Sequence, residues 1–362
     1  MLRADHISGL ALRARVFFIF MCALMAAILA VPAHAHVKWF ADCDITQPPL
    51  PVGQVFTGIF VKIFLVSMFA VYAFFLADRF VYKKGYWAAL DQRLRRFDAL
   101  SIRVMRICAS VFFISLALWH LKFGQSFYLT PELKTSSAYV PWLHLVLGLC
   151  ALSRYTMPAT GAGIFVLYGM ALHHYGTYHM LDYPIFLGIG YFFVVANIRR
   201  SQWMKSGFVV LFAATGLTLI WAAIEKFVYP QWTYPILQHN PDMLFGMSPY
   251  LFMVVSGFVE FNLAFLVLGA TSVVGRIVAF GLQAIFVLAI FKFGVVDAIG
   301  HLMIIAILFI LVVRGPTDAR NMLALGGKSI WTEAYFMTGL YSLAFVMMFI
   351  LYYGLHYVSY GV

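Results

Sequence analysis

Charge is scarce in this chain: Asp, Glu, Lys and Arg make up 11% of its 362 residues, against about a quarter of an ordinary soluble domain, which excludes a water-soluble globule. Cysteine is scarce as well. Four cysteines, with no CxxC pair and no four-ligand spacing, exclude a disulfide scaffold and a zinc module. There is no P-loop, no dinucleotide-binding glycine fingerprint and no Gly-x-Ser-x-Gly elbow, so nothing points to ATP-driven transport or nicotinamide binding by the chain itself, although a partner subunit could supply either. What abounds is apolar surface. Hydrophobic residues are 63% of the chain and aromatics 18%, the mean hydropathy is +0.89, and apolar runs of about 20 residues recur, each long enough to cross a hydrocarbon core of ~30 Å. The chain reads as a polytopic membrane protein, in contact with lipid along its length.

The first 35 residues combine a basic start (Arg3, Arg13, Arg15), an apolar stretch from Val16 to Leu29 and the tripeptide Ala33-His34-Ala35. That is the layout of a cleavable secretory signal, with an uncleaved first span as the alternative. Cleavage would leave His36 as the first residue. Beyond the Pro-rich stretch Gln47-Pro48-Pro49-Leu50-Pro51, apolar spans lie near 54 to 77, 104 to 121, 139 to 154, 159 to 178, 183 to 198, 207 to 228, 248 to 270, 276 to 294, 297 to 314 and 332 to 355. Continuous apolar runs satisfy their own backbone hydrogen bonds in lipid as helices, whereas barrel strands would alternate. The expected fold class is therefore all-α, a transmembrane helical bundle of about ten mature helices.

With residue 36 outside, the alternate, cytoplasmic loops collect Arg79, Lys83, Lys84, Arg93, Arg95, Arg96, Arg103, Arg106, Arg154, Arg199, Arg200, Lys205, Arg276, Arg314, Arg320 and Lys328. The other side holds only Lys38, Lys122, Lys134, Lys226 and Lys292. This is the positive-inside asymmetry, and it accounts for a net charge of +11 without nucleic acid. It places the chain in a cell inner membrane with both mature ends periplasmic.

An internal similarity divides the chain further. Leu118 to Arg199 resembles Trp221 to Arg314: each has a span ending in Lys-Phe (Lys122-Phe123, Lys226-Phe227), a long external loop, and a span entered through Pro141 or Pro249. That second span carries His144 in one copy and Glu260 in the other, each four residues before a small residue, and the fourth spans align without a gap from Leu181-Asp182 and from Val296-Asp297. Four spans per copy give both copies one orientation, a parallel repeat of the kind that places a cavity between halves; chance similarity among apolar helices is the other explanation. The expected organisation is 1–35 signal, 36–103 external stretch with the first mature span and a basic loop, 104–200 first repeat, 201–315 second repeat, and 316–362 loop and last span.

Glu225-Lys226-Phe227 at the end of one span, followed by Gly257-Phe258-Val259-Glu260 and a short Gly-containing turn, resembles the DoxX and DoxD-like membrane proteins over roughly half the chain. Members of that family are associated with membrane redox systems, among them a thiosulfate to quinone oxidoreductase and oxidant-defence complexes. The resemblance implies a subunit of a quinone-linked redox system working with a soluble oxidoreductase. This chain departs from a single-copy member by its duplication, its flanking spans and His144 in place of Glu.

Ionisable groups inside a membrane cost about 2.5 to 3.5 kcal/mol each on insertion scales, so they face interior cavities and act there. Glu260, His144, Asp297 and His301 are the candidate proton-handling residues; Asp297 and His301, four apart, share one helix face. The segment His173 to Asp182 spaces His174 with Tyr178 and Tyr175 with His179 at the same interval. His173, His174, His179 and Asp182 are candidate cofactor-binding residues. Three chemistries can use such a set: proton exchange with a quinone, axial ligation of a b-type haem, or binding of copper, zinc or iron, with His36, His174 and His301 as candidate ligands. His36 would add a free α-amine beside its imidazole. A carrier or chaperone for a metal ion or small solute, working with a metal-handling partner, is thus an alternative to the redox subunit, and an assembly factor whose polar groups merely join helices is another. Lone His120, His239 and His356 read as interfacial hydrogen-bonding groups, and Cys43, between Asp42 and Asp44, as an unactivated thiol.

Overall fold

The computed structural model of the protein describes residues 37–40, 43–86, 88–198, 201–271, 273–315 and 329–361. The signal-like segment 1–35, His36, Arg199, Arg200, Arg320 and Lys328 lie outside the described residues. Every expected span is a helix: α1 Gly58–Lys83, then α2 Ala88–Arg95 as a short basic connector, α3 Asp98–Phe123, α4 Val140–Leu152, α5 Met157–Met180, α6 Pro184–Val195, α7 Ser201–Val228, α8 Pro230–His239 as a second connector, α9 Pro249–Gly269, α10 Val273–Phe293, α11 Val295–Arg314 and α12 Ile330–Tyr360. A two-stranded hairpin, Ser126–Phe127 with Lys134–Thr135, follows α3. Prolines at the first turn of α4, α5, α6, α8 and α9 mark helix starts, where their missing N–H has no intrahelical partner to lose. The protein is an all-α bundle, and seven of the described helices are long and apolar enough to cross a membrane.

Two expected spans are shorter than a membrane. Helices α4 and α6 have 13 and 12 residues, which at 1.5 Å per residue is about 18 to 20 Å. Helix α5 breaks at Gly176, whose φ of 81° and ψ of 166° lie outside helical space. In the first four-helix unit α3 packs broadly on α4 and α5 on α6; in the second, α7 does so on α9 and α10 on α11. Across the units α6 lies along α7 and α11 along α3, so the fourth helix of each meets the first of the other. Helices α1 and α12 pair with each other and cover α9 through an aromatic seam, with Phe64 and Phe345 ring centroids 4.8 Å apart and Phe60 and Phe258 4.9 Å apart. Outward faces of the bundle carry Leu65, Val66, Phe69, Leu121 and Phe291, an apolar surface for lipid.

Arg79 and Arg276 are not loop residues. Both are buried inside helices, because each satisfies backbone or carboxylate groups that would otherwise be orphaned in an apolar interior. Arg276 donates to the carbonyls of Val313 at 2.6 Å and of Val312, capping the end of α11, and pairs with Asp91 of α2. Arg79 donates to Thr271 Oγ1 and faces Glu333 of α12 at 3.4 Å, with Lys83 on the other oxygen of Glu333 at 3.2 Å. Asp78 accepts from the amide and hydroxyl of Thr271 at 2.8 and 2.9 Å. Arg314 joins the units directly through Asp98 at 2.9 Å. This set closes one end of the bundle.

Candidate functional site

The other end is closed by a residue that comes from none of the long helices. Lys38 sits on a three-residue 3₁₀ turn, Val37–Trp39, and its ammonium donates to Asp182 Oδ2 at 2.6 Å and to Glu225 Oε1 at 2.5 Å. Asp182 lies in the turn between α5 and α6, and Glu225 in the last turns of α7, so one cation bridges the two four-helix units. Tyr352 of α12 donates to the same Glu225 oxygen at 3.3 Å, and the Trp232 ring lies 5.3 Å from the ammonium. Downstream, the chain stays on this end: His356 meets the Ile45 carbonyl at 3.1 Å, Tyr229 donates to that of Gln47 at 2.8 Å, and the Leu50 amide donates to Val228 at 2.9 Å.

Burial opposes the charge on Lys38, but the carboxylates of Asp182, Glu225 and Glu132 outweigh it and hold the ammonium well above its ordinary pKa. Glu132, in the hairpin loop, is also buried, which would raise its pKa; Lys38 and His179, whose Nε2 is 2.5 Å away, instead bring it down to about 2. A carboxylate with a depressed folded pKa contributes stability above its ordinary value of 4.5 and loses it as pH falls toward 2. The gap in thermal midpoint between the parent and Glu132→Gln should therefore close as acidity passes from 4.5 toward 2. A gap indifferent to pH would contradict the ion-pair account. Cys43 is pushed up to about 12, with burial the main cause and Lys38 opposing it, so the thiol is unactivated for a different reason than its flanking aspartates.

Behind Lys38 lies a cavity of about 30 Å³ whose walls include Glu225, Lys226, Glu260, Trp232, Thr233 and His301. That is room for one or two waters. Lys226 and Glu260 form a buried ion pair across it. His301 has no solvent exposure, its Nδ1 lies 3.1 Å from Asp297 Oδ1, and its ring is held between Trp39 and Phe286 at 4.6 and 4.7 Å. His301 Nε2 and Asp297 Oδ2 have no hydrogen-bond partner among the described residues. Buried imidazole and carboxylate atoms left in this state are places for a water or a proton.

No protein-family model, curated protein or solved structure matches this chain. Its chemistry therefore rests on the geometry.

Of the four proton-handling candidates, Glu260 and His301 line this cavity, and Asp297 lies behind it, 3.1 Å from His301. His144 does not: it is buried in the first unit with Nε2 2.9 Å from the Tyr128 carbonyl. Asp182 holds Lys38 and His179 holds Glu132, while His173 and His174 are exposed just before the Gly176 break, His174 lying 3.5 Å from the Tyr128 hydroxyl. Among the described residues no three His, Cys, Asp or Glu side chains are grouped to hold a metal ion, and His36 is outside them. A b-type haem does not fit the cavity either, since ligand pockets run to about 300 Å³ and more. His120, His239 and His356 each engage a neighbouring oxygen, His356 from a fully buried position. Lys38, Trp39, Lys226 and Glu132 were not foreseen as site residues. The signal for Lys226 was its contiguity with Glu225; Lys38 and Glu132, in loops, gave none.

At the same end a larger groove of about 450 Å³ runs between Phe40, Trp232, Ile236 and Phe293, with Gln231, His239 and Asn240 on its rim. Trp232 is a wall of both the groove and the small cavity.

Proposed function

We propose that this chain is the proton-handling membrane subunit of a quinone-linked redox system, of the DoxX-like kind, set in a cell inner membrane with the Lys38 end outward. The observation that carries the reading is the shared Trp232 wall: an aromatic-lined groove of quinone-ring size lies directly against a buried array of Glu225, Glu260, Lys226 and His301. Reduction of a quinone takes two electrons, which a soluble oxidoreductase partner would supply, and two protons, which the array would deliver. Glu260 and His301 would be the exchanging groups, with Lys226 and Asp297 setting their charge balance. The exposed Lys83, Lys84, Arg93, Arg95 and Arg96 at the far end support the outward orientation.

Purified protein should retain quinone through extraction, and decylubiquinone should quench tryptophan fluorescence in the parent but not in Trp232→Leu. With partner and donor present, Glu260→Gln should lower quinone turnover by about 10²-fold or more at normal membrane abundance, since a positioned acid–base group contributes on that scale. Unchanged turnover would favour the assembly-factor reading, in which these ion pairs only join helices. That reading has its own support in the matching of Asp182, Glu225, Glu260 and Glu333 by lysine or arginine.

A further inference from the structure

The box around Lys38 is assembled from elements that do not include the lysine's own segment. Asp182 is fully buried and its Oδ1 has no hydrogen-bond partner among the described residues. Glu225 offers a second carboxylate, Tyr352 orients it, and Trp232 turns its face to the cation from 5.3 Å while Tyr229 stacks behind it at 4.0 Å. Carboxylates for charge and hydrogen bonding, with an aromatic face for the alkyl-bearing side, are the features that recognise an alkylammonium ion. The cation already in place is one. It arrives on a three-residue turn and reaches across 144 and 187 positions of sequence to its two carboxylates. Next to it, the Trp39 ring presses on Gly300, where a Cβ would collide with the indole. Beneath lies the cavity with the unpartnered Nε2 of His301.

We propose that Asp182, Glu225 and Trp232 form a binding site for a small alkylammonium ion at this end of the bundle, with Lys38 as its tethered occupant and the Trp39 contact on Gly300 as the latch. When the latch releases, the site and the cavity behind it become accessible, and the uncovered carboxylates favour cations over anions. Anchors at Ile45, Gln47 and Leu50 keep the rest of the strap in place when Lys38 is replaced.

The test uses the full chain with its native cysteines changed to serine and one cysteine added on the cavity wall, Ala222→Cys. It reads accessibility, so its outcome is independent of any redox activity. With Lys38 in place, modification by methanethiosulfonates should be slow. In Lys38→Ala the trimethylammonium reagent should react faster than the sulfonate reagent by about tenfold or more, the scale on which a charged cleft concentrates counter-ions. Added n-propylammonium chloride should protect that cysteine where equal sodium chloride does not. Gly300→Leu, which leaves every charge in place, should also raise the modification rate by displacing Trp39, and Lys38→Gln serves if the alanine variant fails to fold. Parent-like protection in all variants would overturn the lid, and equal protection by propylammonium and sodium would overturn the ammonium site.

Discussion

Replacing Lys38 by methionine should destabilise the bundle by about 3–5 kcal/mol, the cost of removing one partner from a buried ion pair. Two carboxylates, Asp182 and Glu225, lose their cation together while the methionine side chain still fills the lysine's place over them: Asp182 is fully buried and Glu225 nearly so. The larger part of the loss is the stranded charge rather than the missing contact, because buried pairs gain little over apolar packing but are costly to break. Neutralising what remains should therefore recover much of it. The triple variant Lys38→Met with Asp182→Asn and Glu225→Gln is expected to unfold closer to the parent than the single variant does, in thermal melts of detergent-solubilised protein. A triple variant less stable than the single one would show that the ion pair itself, not the penalty of uncovering it, holds the two units together.

The fold was legible because lipid imposes a blunt rule. A run of apolar residues must be a helix there, and prolines such as Pro141, Pro184 and Pro249 mark where helices start. Length was less legible: α4 and α6 fall short of a membrane although their apolar stretches read as spans, because helix ends depend on caps and neighbours rather than hydropathy. Glu260, Asp297 and His301 stood out for a related reason, since an ionisable group in an apolar run has few explanations. The histidine-rich stretch from His173 does not gather on one helix face, for a local reason. An i to i+4 pattern presumes continuous helix, and Gly176 interrupts it; Tyr175 and His179 still meet, at 4.9 Å, but His179 is taken by Glu132.

Lys38 was illegible because its meaning is wholly tertiary. A lysine in an external loop ordinarily counts as a solvated charge, and nothing near it in sequence announces carboxylates in α7 and in the turn before α6. The same blindness applied to Arg79 and Arg276, counted as markers of a basic loop when they are buried members of a network. The two segments that align by sequence are not chemically equivalent either: Asp182 holds a lysine, whereas Asp297, its counterpart in that alignment, holds His301.

At the far end, Arg79→Met should cost a comparable amount, about 3–5 kcal/mol, since its guanidinium is buried among Thr271, Asp78 and Glu333. The pattern of rescue should differ from that at Lys38. Glu333 keeps Lys83 at 3.2 Å on its other oxygen, and Asp78 keeps both hydrogen bonds from Thr271, so neither carboxylate is stranded completely. Glu333→Gln added to Arg79→Met should consequently return only part of the loss, and Lys83→Met added to it should deepen the loss by removing the last cation from Glu333. Arg79→Met, Lys83→Met and the double variant, melted beside the parent, form a cycle in which the coupling between Arg79 and Lys83 appears as an excess in the double variant over the sum of the singles. Simple additivity would mean that Lys83, which is more than a third exposed, is screened by solvent and that Arg79 alone neutralises Glu333. Neither set of far-end variants should alter cysteine accessibility at Ala222, because the cavity lies at the opposite end and shares no lining residue with this network.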